Sequence, residues 1–270
     1  MGLIRMPRSR EAYTPGYSEP TLQLMRKRTA AKHAAFFTPV LSRGMRLLDC
    51  GCGPGTITVD LAKLVAPGQV FGIDLEPTQA RSAQHLATGQ QVDAVFVAAS
   101  AYALPFADEQ FDAVFAHALV EHLREPGRAL LEMKRVLRSS GVVGIRSPDW
   151  AGRVIYPPSS LLERAIQRFE QLQIANGGNP YVGRALKGLL REAGFSKTSI
   201  SASYEIYDDP GFFAEWLADY LESRGDTQLR ENGDEAHAWS EHPDVLLAFA
   251  WFEGVGAAET VRRTPTVSRP

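Results

Sequence analysis

At 270 residues, with 44% hydrophobic and 22% charged side chains, the chain is long enough for one large domain or two small ones, with apolar residues enough for a full core. The balance of 29 basic against 31 acidic residues gives a formal net charge of −2, which excludes recruitment to a nucleic-acid backbone by bulk charge. The longest uncharged stretch, 94–107, contains Ser100, Tyr102 and Pro105 and falls short of the roughly 20 apolar residues of a membrane span.

The basic start, 1–10, has no apolar run behind it, unlike a secretory leader, and Met6 stands where a myristoylation signal needs Ser or Thr. Residues 1–19, rich in Arg, Pro, Tyr and Gly, read as an arm that packs on something else. Pro20 suits the first turn of a helix. Leu22, Leu24, Met25, Ala30, Ala34, Phe37 and Leu41 then recur at helical spacing, predicting one amphipathic helix to about Ser42. A short apolar strand, 45–50, runs into Gly51-Cys52-Gly53-Pro54-Gly55. Cys50 and Cys52 are one residue apart and cannot staple a fold; small packing residues, reduced thiols and a cytoplasmic setting are expected.

A helix over 56–65 follows, then a strand over 70–73 ending at Asp74, a helix over 77–87, and strands over 94–97 and 111–116. A helix over 128–137 and a strand over 141–145 complete the alternation, the strand ending before Ser147-Pro148-Asp149. Strands alternating with helices imply parallel pairing and right-handed crossovers, with ligands beyond the carboxyl ends of the strands. After Trp150 the pattern breaks: helices over 161–174, 183–193 and 210–221, a strand over 199–206, a polar loop over 224–240, and a run over 245–255 that is either helix or a buried last strand.

The glycine cluster lets the chain turn sharply and lets a ligand approach bare backbone at a helix N-terminus. A dinucleotide fingerprint would place glycine where Thr56 stands, so the spacing is wrong for a pyrophosphate and suits a ligand with an amino-acid end. Asp74, at the end of the second strand, can accept from both hydroxyls of a ribose, although a lone Asp there is also a common helix cap.

Leu47 to Gly55, then Val70 to Asp74, Ala103-Leu104-Pro105-Phe106-Ala107-Asp108 through Asp112, Leu119-Val120-Glu121-His122-Leu123, and Arg135-Val136-Leu137 through Gly141 resemble the class I S-adenosylmethionine-dependent methyltransferases. The wording is closest to the small-molecule branch that includes the ubiquinone and menaquinone C-methyltransferases, and the resemblance spans about residues 20–150. It implies a Rossmann-like, doubly wound, seven-stranded and mostly parallel sheet, with an N-terminal helical arm and a helical lid insertion. The implied organisation is 1–44 arm and helix, 45–150 cofactor-binding core, 151–258 lid and the C-terminal part of the same domain, and 259–270 a disordered tail.

The cofactor the resemblance implies is S-adenosyl-L-methionine, with Gly51, Cys52 and Gly53 at its methionine part, Asp74 at the ribose and Leu75 against the adenine. Ser100 stands where the family carries an Asp that accepts from the adenine amine, which removes charge assistance from that bond; Ala101 and Tyr102 reach the adenine through backbone. Ala116 and His117 end the fourth strand near the methionine amine and the methyl group. His117 and His122 are candidates for a general base toward a phenol, enol or amine, or else shape the pocket. Tyr17, in the arm that in the family often folds over the cofactor, is a candidate for touching cofactor or substrate, and Arg28 for meeting the methionine carboxylate. Asp149 either orients a substrate hydroxyl or caps the next segment. His117, Glu121 and His122 do not match a zinc spacing, so no metal is expected.

Trp150, Tyr156, Phe169, Tyr181, Phe212, Phe213, Trp216 and Tyr220 are candidates to wall an apolar cavity for a bulky acceptor. The expected activity is in-line methyl transfer to a small quinone-like or natural-product acceptor. No nucleic-acid or membrane partner is expected, and oligomeric state is left open. A cyclisation or rearrangement on the same cofactor, and a non-catalytic cofactor-binding protein, remain as alternatives; nicotinamide chemistry is weaker because of the loop spacing.

Overall fold

The computed structural model describes residues 12–259. The start of the arm and the expected tail, apart from Glu259, lie outside them. Helix α1 (Glu19–Arg26) carries Pro20 in its first turn and is capped by the Ser18 hydroxyl, which accepts from the Thr21 amide. The single helix expected to about Ser42 is broken here. Lys27 caps α1, and the Thr29 side chain accepts from the Lys32 amide to start α2 (Ala30–His33). The Ala30 amide donates to Asp60 at 3.1 Å, and a 3₁₀ turn, Thr38–Val40, ends the segment. Met25, Ala30, Ala34 and Phe37 are all buried, so the apolar spacing is met, but local capping overrides a continuous axis.

The alternation follows as β1 (Leu47–Cys50), α3 (Thr56–Val65), β2 (Val70–Asp74), α4 (Pro77–Gly89), β3 (Ala94–Ala98), β4 (Phe111–His117), α5 (Pro126–Val136) and β5 (Leu137–Tyr156). Then come α6 (Ser160–Ala175), α7 (Leu186–Glu192), β6 (Ser196–Ile206), α8 (Pro210–Glu222), α9 (Gln228–Glu231), α10 (Gly233–Ser240) and β7 (Leu246–Ala257). The seven strands form one sheet in the order β3-β2-β1-β4-β5-β7-β6, parallel from β3 through β5, with β7 antiparallel to both its neighbours. The ambiguous last run is therefore a strand. The strand order reverses between β1 and β4, which opens a crevice at their carboxyl ends.

One face of the sheet packs Leu130, Met133 and Val136 of α5 with Leu186 and Leu190 of α7. The other packs Ile57, Leu61 and Val65 of α3 with Ala30 and Phe37. A third, aromatic core under α6 and α8 gathers Phe169, Phe213, Trp216 and Trp251. Strand β5 runs eleven residues past its expected end, because β7 continues to pair with it beyond the last β4 partner, from Ser147↔Phe252 to Tyr156↔Leu246. That extension supports the cap. The segment expected as polar loop, 224–240, holds α9 and α10, anchored by the buried side chains of Leu229 and Trp239 among mostly polar neighbours.

Candidate active site

The crevice at the carboxyl ends of β1, β2 and β4 is a cavity floored by the glycine loop. The Gly51 and Cys52 amides both donate to the Ile73 carbonyl, at 2.8 and 2.9 Å, tying the loop to β2. Gly51, Gly53 and Gly55 have φ of +76°, +53° and +84°, the left-handed region that favours glycine. A Cβ on Gly55 would stand 2.6 Å from the Ala83 Cβ, whereas one on Gly53 would meet nothing nearer than the Met25 sulfur at 3.9 Å. Gly55 thus serves packing of the loop on α4, and Gly53 presents bare backbone to the cavity.

Asp74 Oδ2 accepts from the Gly53 amide and Oδ1 from the Glu76 amide, each at 2.9 Å. Each oxygen keeps a lone pair for a ligand hydroxyl. Burial raises this carboxyl, while the two amide bonds oppose the rise. Leu75 beside it is 51% exposed, an apolar shelf on the wall. Ser100 Oγ accepts from the Tyr102 amide at 3.2 Å, so its own proton is available to donate. Ala101 and Tyr102 complete that side, the Tyr102 hydroxyl accepting from the Glu125 amide at 3.2 Å. Cys52 also lines the cavity; burial pushes its thiol and that of Cys50 well up, so neither is a thiolate. Ala116 is packed in the core beneath, and the wall there is formed by His117 and Ala118.

Asp49 is a lining residue that sequence reasoning passed over. Its Oδ2 accepts from the Thr58 hydroxyl at 2.6 Å, and burial pushes its carboxyl up to about 7. In the sequence it reads only as the polar member of an apolar strand.

Tyr17 stacks on Tyr13, and Tyr13 meets the His122 ring edge-on at 4.7 Å. Tyr13, Met25, Arg28, Ala118 and His122 line this cavity and also a second one under the cap, so they form a shared wall. The break between α1 and α2 is what places Arg28 there. Of the eight aromatics expected to wall an apolar cavity, Trp150, Phe169, Phe212, Phe213 and Trp216 line the second cavity. The other three aromatics do not: Tyr156 is exposed, Tyr181 donates its hydroxyl to Glu170, and Tyr220 packs in the cap core. Asp149 lines neither cavity; it holds the turn by accepting from the Ala151 amide and pairs with Arg184.

The floor of the second cavity is a polar cluster with no signal in the sequence. Glu205 Oε1 lies 3.1 Å from His33 Nε2, and its Oε2 accepts from buried Arg146 at 3.0 Å. Arg146 lies over Trp251, whose other neighbour, His117, stacks at 4.9 Å. Burial alone would raise the Glu205 carboxyl, but His33 and Arg146 outweigh it and draw it down to about 2.

His117 is 5% exposed, and neither of its ring nitrogens has a hydrogen-bond partner among the described residues. Burial, with Arg28 and Arg146 nearby, holds its pKa well below the usual range. His122 lies on a 3₁₀ turn, Val120–His122, and burial and Arg28 hold it at about 3. Both imidazoles are neutral and weakly basic at pH 7, which suits walls and hydrogen-bonding partners better than a general base. Among the described residues no group of three or more His, Cys, Asp or Glu can hold a metal ion, and no helix is long and apolar enough to cross a membrane.

A family model described as a methyltransferase domain matches residues 48–145, from β1 to β5. An uncharacterized methyltransferase of Schizosaccharomyces pombe is 32% identical over 185 residues, covering 65% of this chain and 66% of that one. A methyltransferase candidate of Aspergillus luteorubrus is 28% identical over 268 residues, covering 89% and 91%. The crystal structure of a methyltransferase candidate from Bacillus halodurans superimposes with a TM-score of 0.64 at 17% identity, covering 85% of this chain and all of that one. With its glycine loop at the switch point of a seven-stranded sheet, the chain belongs to the class I S-adenosylmethionine-dependent methyltransferases and uses S-adenosylmethionine as its cofactor.

Proposed function

We propose that the protein transfers the methyl group of S-adenosylmethionine to a small hydroxylated aromatic acceptor bound under the cap. The observation that carries this reading is the pair of cavities divided by one wall, the first with the glycine loop and Asp74, the second lined by Trp150, Phe169, Phe213 and Trp216. Gly51, Cys52 and Gly53 cradle the methionine part, Asp74 accepts from the ribose hydroxyls, and Leu75, Ala101 and Tyr102 border the adenine. Ser100 meets the adenine as a neutral hydroxyl in place of a carboxylate. Tyr17 closes the cavity from the arm and Arg28 from the α1–α2 break, with Arg28 toward the methionine carboxylate. When bound, the cofactor supplies a methyl group already activated by the sulfonium.

The protein's part is then chiefly positioning. Holding the acceptor in line with that methyl group is worth roughly 7–11 kcal/mol of barrier. Base assistance adds about 10²–10⁴-fold where the acceptor must lose a proton. A concave, aromatic-lined cavity and a formal charge of −2 favour a small molecule over a nucleic acid.

The test is incubation with S-adenosylmethionine and a panel of hydroxynaphthalenes and hydroxyquinones, read by mass spectrometry and by release of S-adenosylhomocysteine. A product heavier by one methylene unit supports the reading. An isomer of unchanged mass would replace it with a rearrangement, and no turnover by a cofactor-binding wild type would replace it with a binding protein.

A further inference from the structure

Transfer to a hydroxyl leaves a proton to be taken, and the groups nearest the shared wall differ in their ability to take it. His117 and His122 are weak bases held neutral by burial. Glu205 is already engaged by His33 and Arg146. Asp49 is in the cofactor cavity and is engaged by Thr58. Glu121 lines the acceptor cavity as Glu205 does, but its carboxylate accepts from the neutral Ser147 hydroxyl where that of Glu205 is paired with an arginine, and it stands on the turn that also carries His122 into the wall.

Glu121 is 2% exposed and firmly held. Its backbone carbonyl accepts from the Asn179 amide at 2.8 Å and from Gln173 Nε2 at 2.9 Å, which fixes the turn against the end of α6. Its Oε2 accepts from the Ser147 hydroxyl of β5 at 2.8 Å. Its Oε1 stands 3.8 Å from His122 Nε2, beyond hydrogen-bond reach. The charged and titratable groups facing it are Arg28 from the α1–α2 break, Arg146 from β5, His122 from its own turn and Tyr13 from the arm.

We propose that Glu121 is the general base of this site, accepting the proton of the acceptor hydroxyl as its oxygen is methylated. This rests on the methyl-transfer reading above. The O–H bond breaks and its proton goes to the Glu121 carboxylate. The O–C bond forms, the C–S bond breaks with its electron pair left on sulfur, and the proton reaches solvent when the products leave. Burial pushes the Glu121 carboxyl up to about 7, against the opposing pull of its own amide, Ser147, Arg28 and Arg146. A carboxylate so placed is largely ionised at pH 8 and is a far stronger base than an ordinary one. Ser147 is a positioning residue in this scheme: it orients the carboxyl and favours its ionised form.

The experiment compares wild type, Glu121→Gln and Ser147→Ala with 2-naphthol as the probe acceptor between pH 6 and 8.5. Binding of 2-naphthol to the S-adenosylhomocysteine-loaded protein is followed by calorimetry, and methyl transfer is followed separately. In wild type the rate rises about tenfold per pH unit below a midpoint near neutrality and then levels. Glu121→Gln retains the carbonyl that accepts from Ser147, keeps its S-adenosylhomocysteine affinity, loses about 10²–10⁴-fold in kcat and loses the midpoint. Ser147→Ala moves the midpoint upward while still turning over. A Glu121→Gln protein that methylates 2-naphthol at the wild-type rate, or with the wild-type midpoint, overturns the assignment and leaves the methyl-transfer reading intact. A folded, S-adenosylhomocysteine-binding wild type that neither binds nor methylates 2-naphthol overturns the aromatic-acceptor reading, and the base assignment falls with it.

Discussion

Replacing Glu205 by Gln tests the polar floor of the second cavity as a structural unit. The Arg146 side chain is 3% exposed, with Glu205 at 3.0 Å and Glu253 at 3.5 Å as its carboxylate partners. Removing one partner of a buried pair costs about 3–5 kcal/mol, because the remaining charge stays desolvated. The carboxyl gives a second route to the magnitude. A drop from 4.5 to about 2, for a side chain 16% exposed, corresponds to about 3 kcal/mol of folded-state preference for the ionised form. Because Glu253 remains, the lower figure is the expected one, and it lowers Tm by roughly 6–12 °C for a chain of this size. The folded-state pKa is depressed, so the stabilisation is complete above about pH 4.5 and fades as pH falls toward 2. The assay is urea denaturation of wild type and Glu205→Gln at pH 7 and at steps down to pH 3.5, with S-adenosylhomocysteine titrations alongside. Cofactor affinity is expected to hold, since Glu205 does not line that cavity. A difference below about 1 kcal/mol at pH 7, well under the range for a broken buried pair, or one that does not shrink on acidification, refutes the reasoning.

Asp74→Ala removes a charged acceptor for two ribose hydroxyls, each bond worth about 1.5–3 kcal/mol, so calorimetry is expected to show S-adenosylhomocysteine binding weakened by 10² or more; binding within tenfold of wild type sinks the ribose assignment. Gly53→Val likewise loses cofactor binding, because a β-branched residue is forced into φ +53° where the loop meets the ligand. Gly55→Ala instead strikes folding, since its Cβ meets Ala83 at 2.6 Å; thermal denaturation should rank Gly55→Ala well below Gly53→Ala, and equal stabilities would contradict the division of labour in the loop. Asp49→Asn is expected to stabilise the protein at pH 8 but not at pH 4. The raised Asp49 carboxyl makes wild-type stability decline as pH rises from about 4 to 7, by up to about 4 kcal/mol, and a variant that follows the same pH curve would show that Asp49 is not its source.

The parts legible in the sequence were those whose signals are local. A glycine-rich turn between an apolar strand and a helix, and an acid at the end of the next strand, belong to one strand–helix–strand unit and meet in the crevice, because the parallel β1–β2 register puts Cys50 opposite Ile73. Capping was legible only after the fact. Helical periodicity reported which side chains of residues 22–41 are buried, but Thr29 turned the chain there and aimed Arg28 into the wall. In 224–240, two apolar anchors among polar residues were too few to register as a pattern, yet Leu229 and Trp239 suffice to seat two helices on the cap.

The sequence by itself determined the alternating core, the glycine loop and the place of Asp74, since each depends on backbone turns and side chains within one strand–helix unit. The polar floor of the second cavity was decided by tertiary structure alone. His33 meets Glu205 across 172 positions and Arg146 meets it across 59, because the antiparallel β7 inserts between β5 and β6 and carries β6 to the far edge of the sheet. The same insertion prolongs β5 under the cap and brings Ser147 to Glu121. Pairing across a sheet depends on strand order, and strand order leaves no mark in the local composition of the strands that it joins.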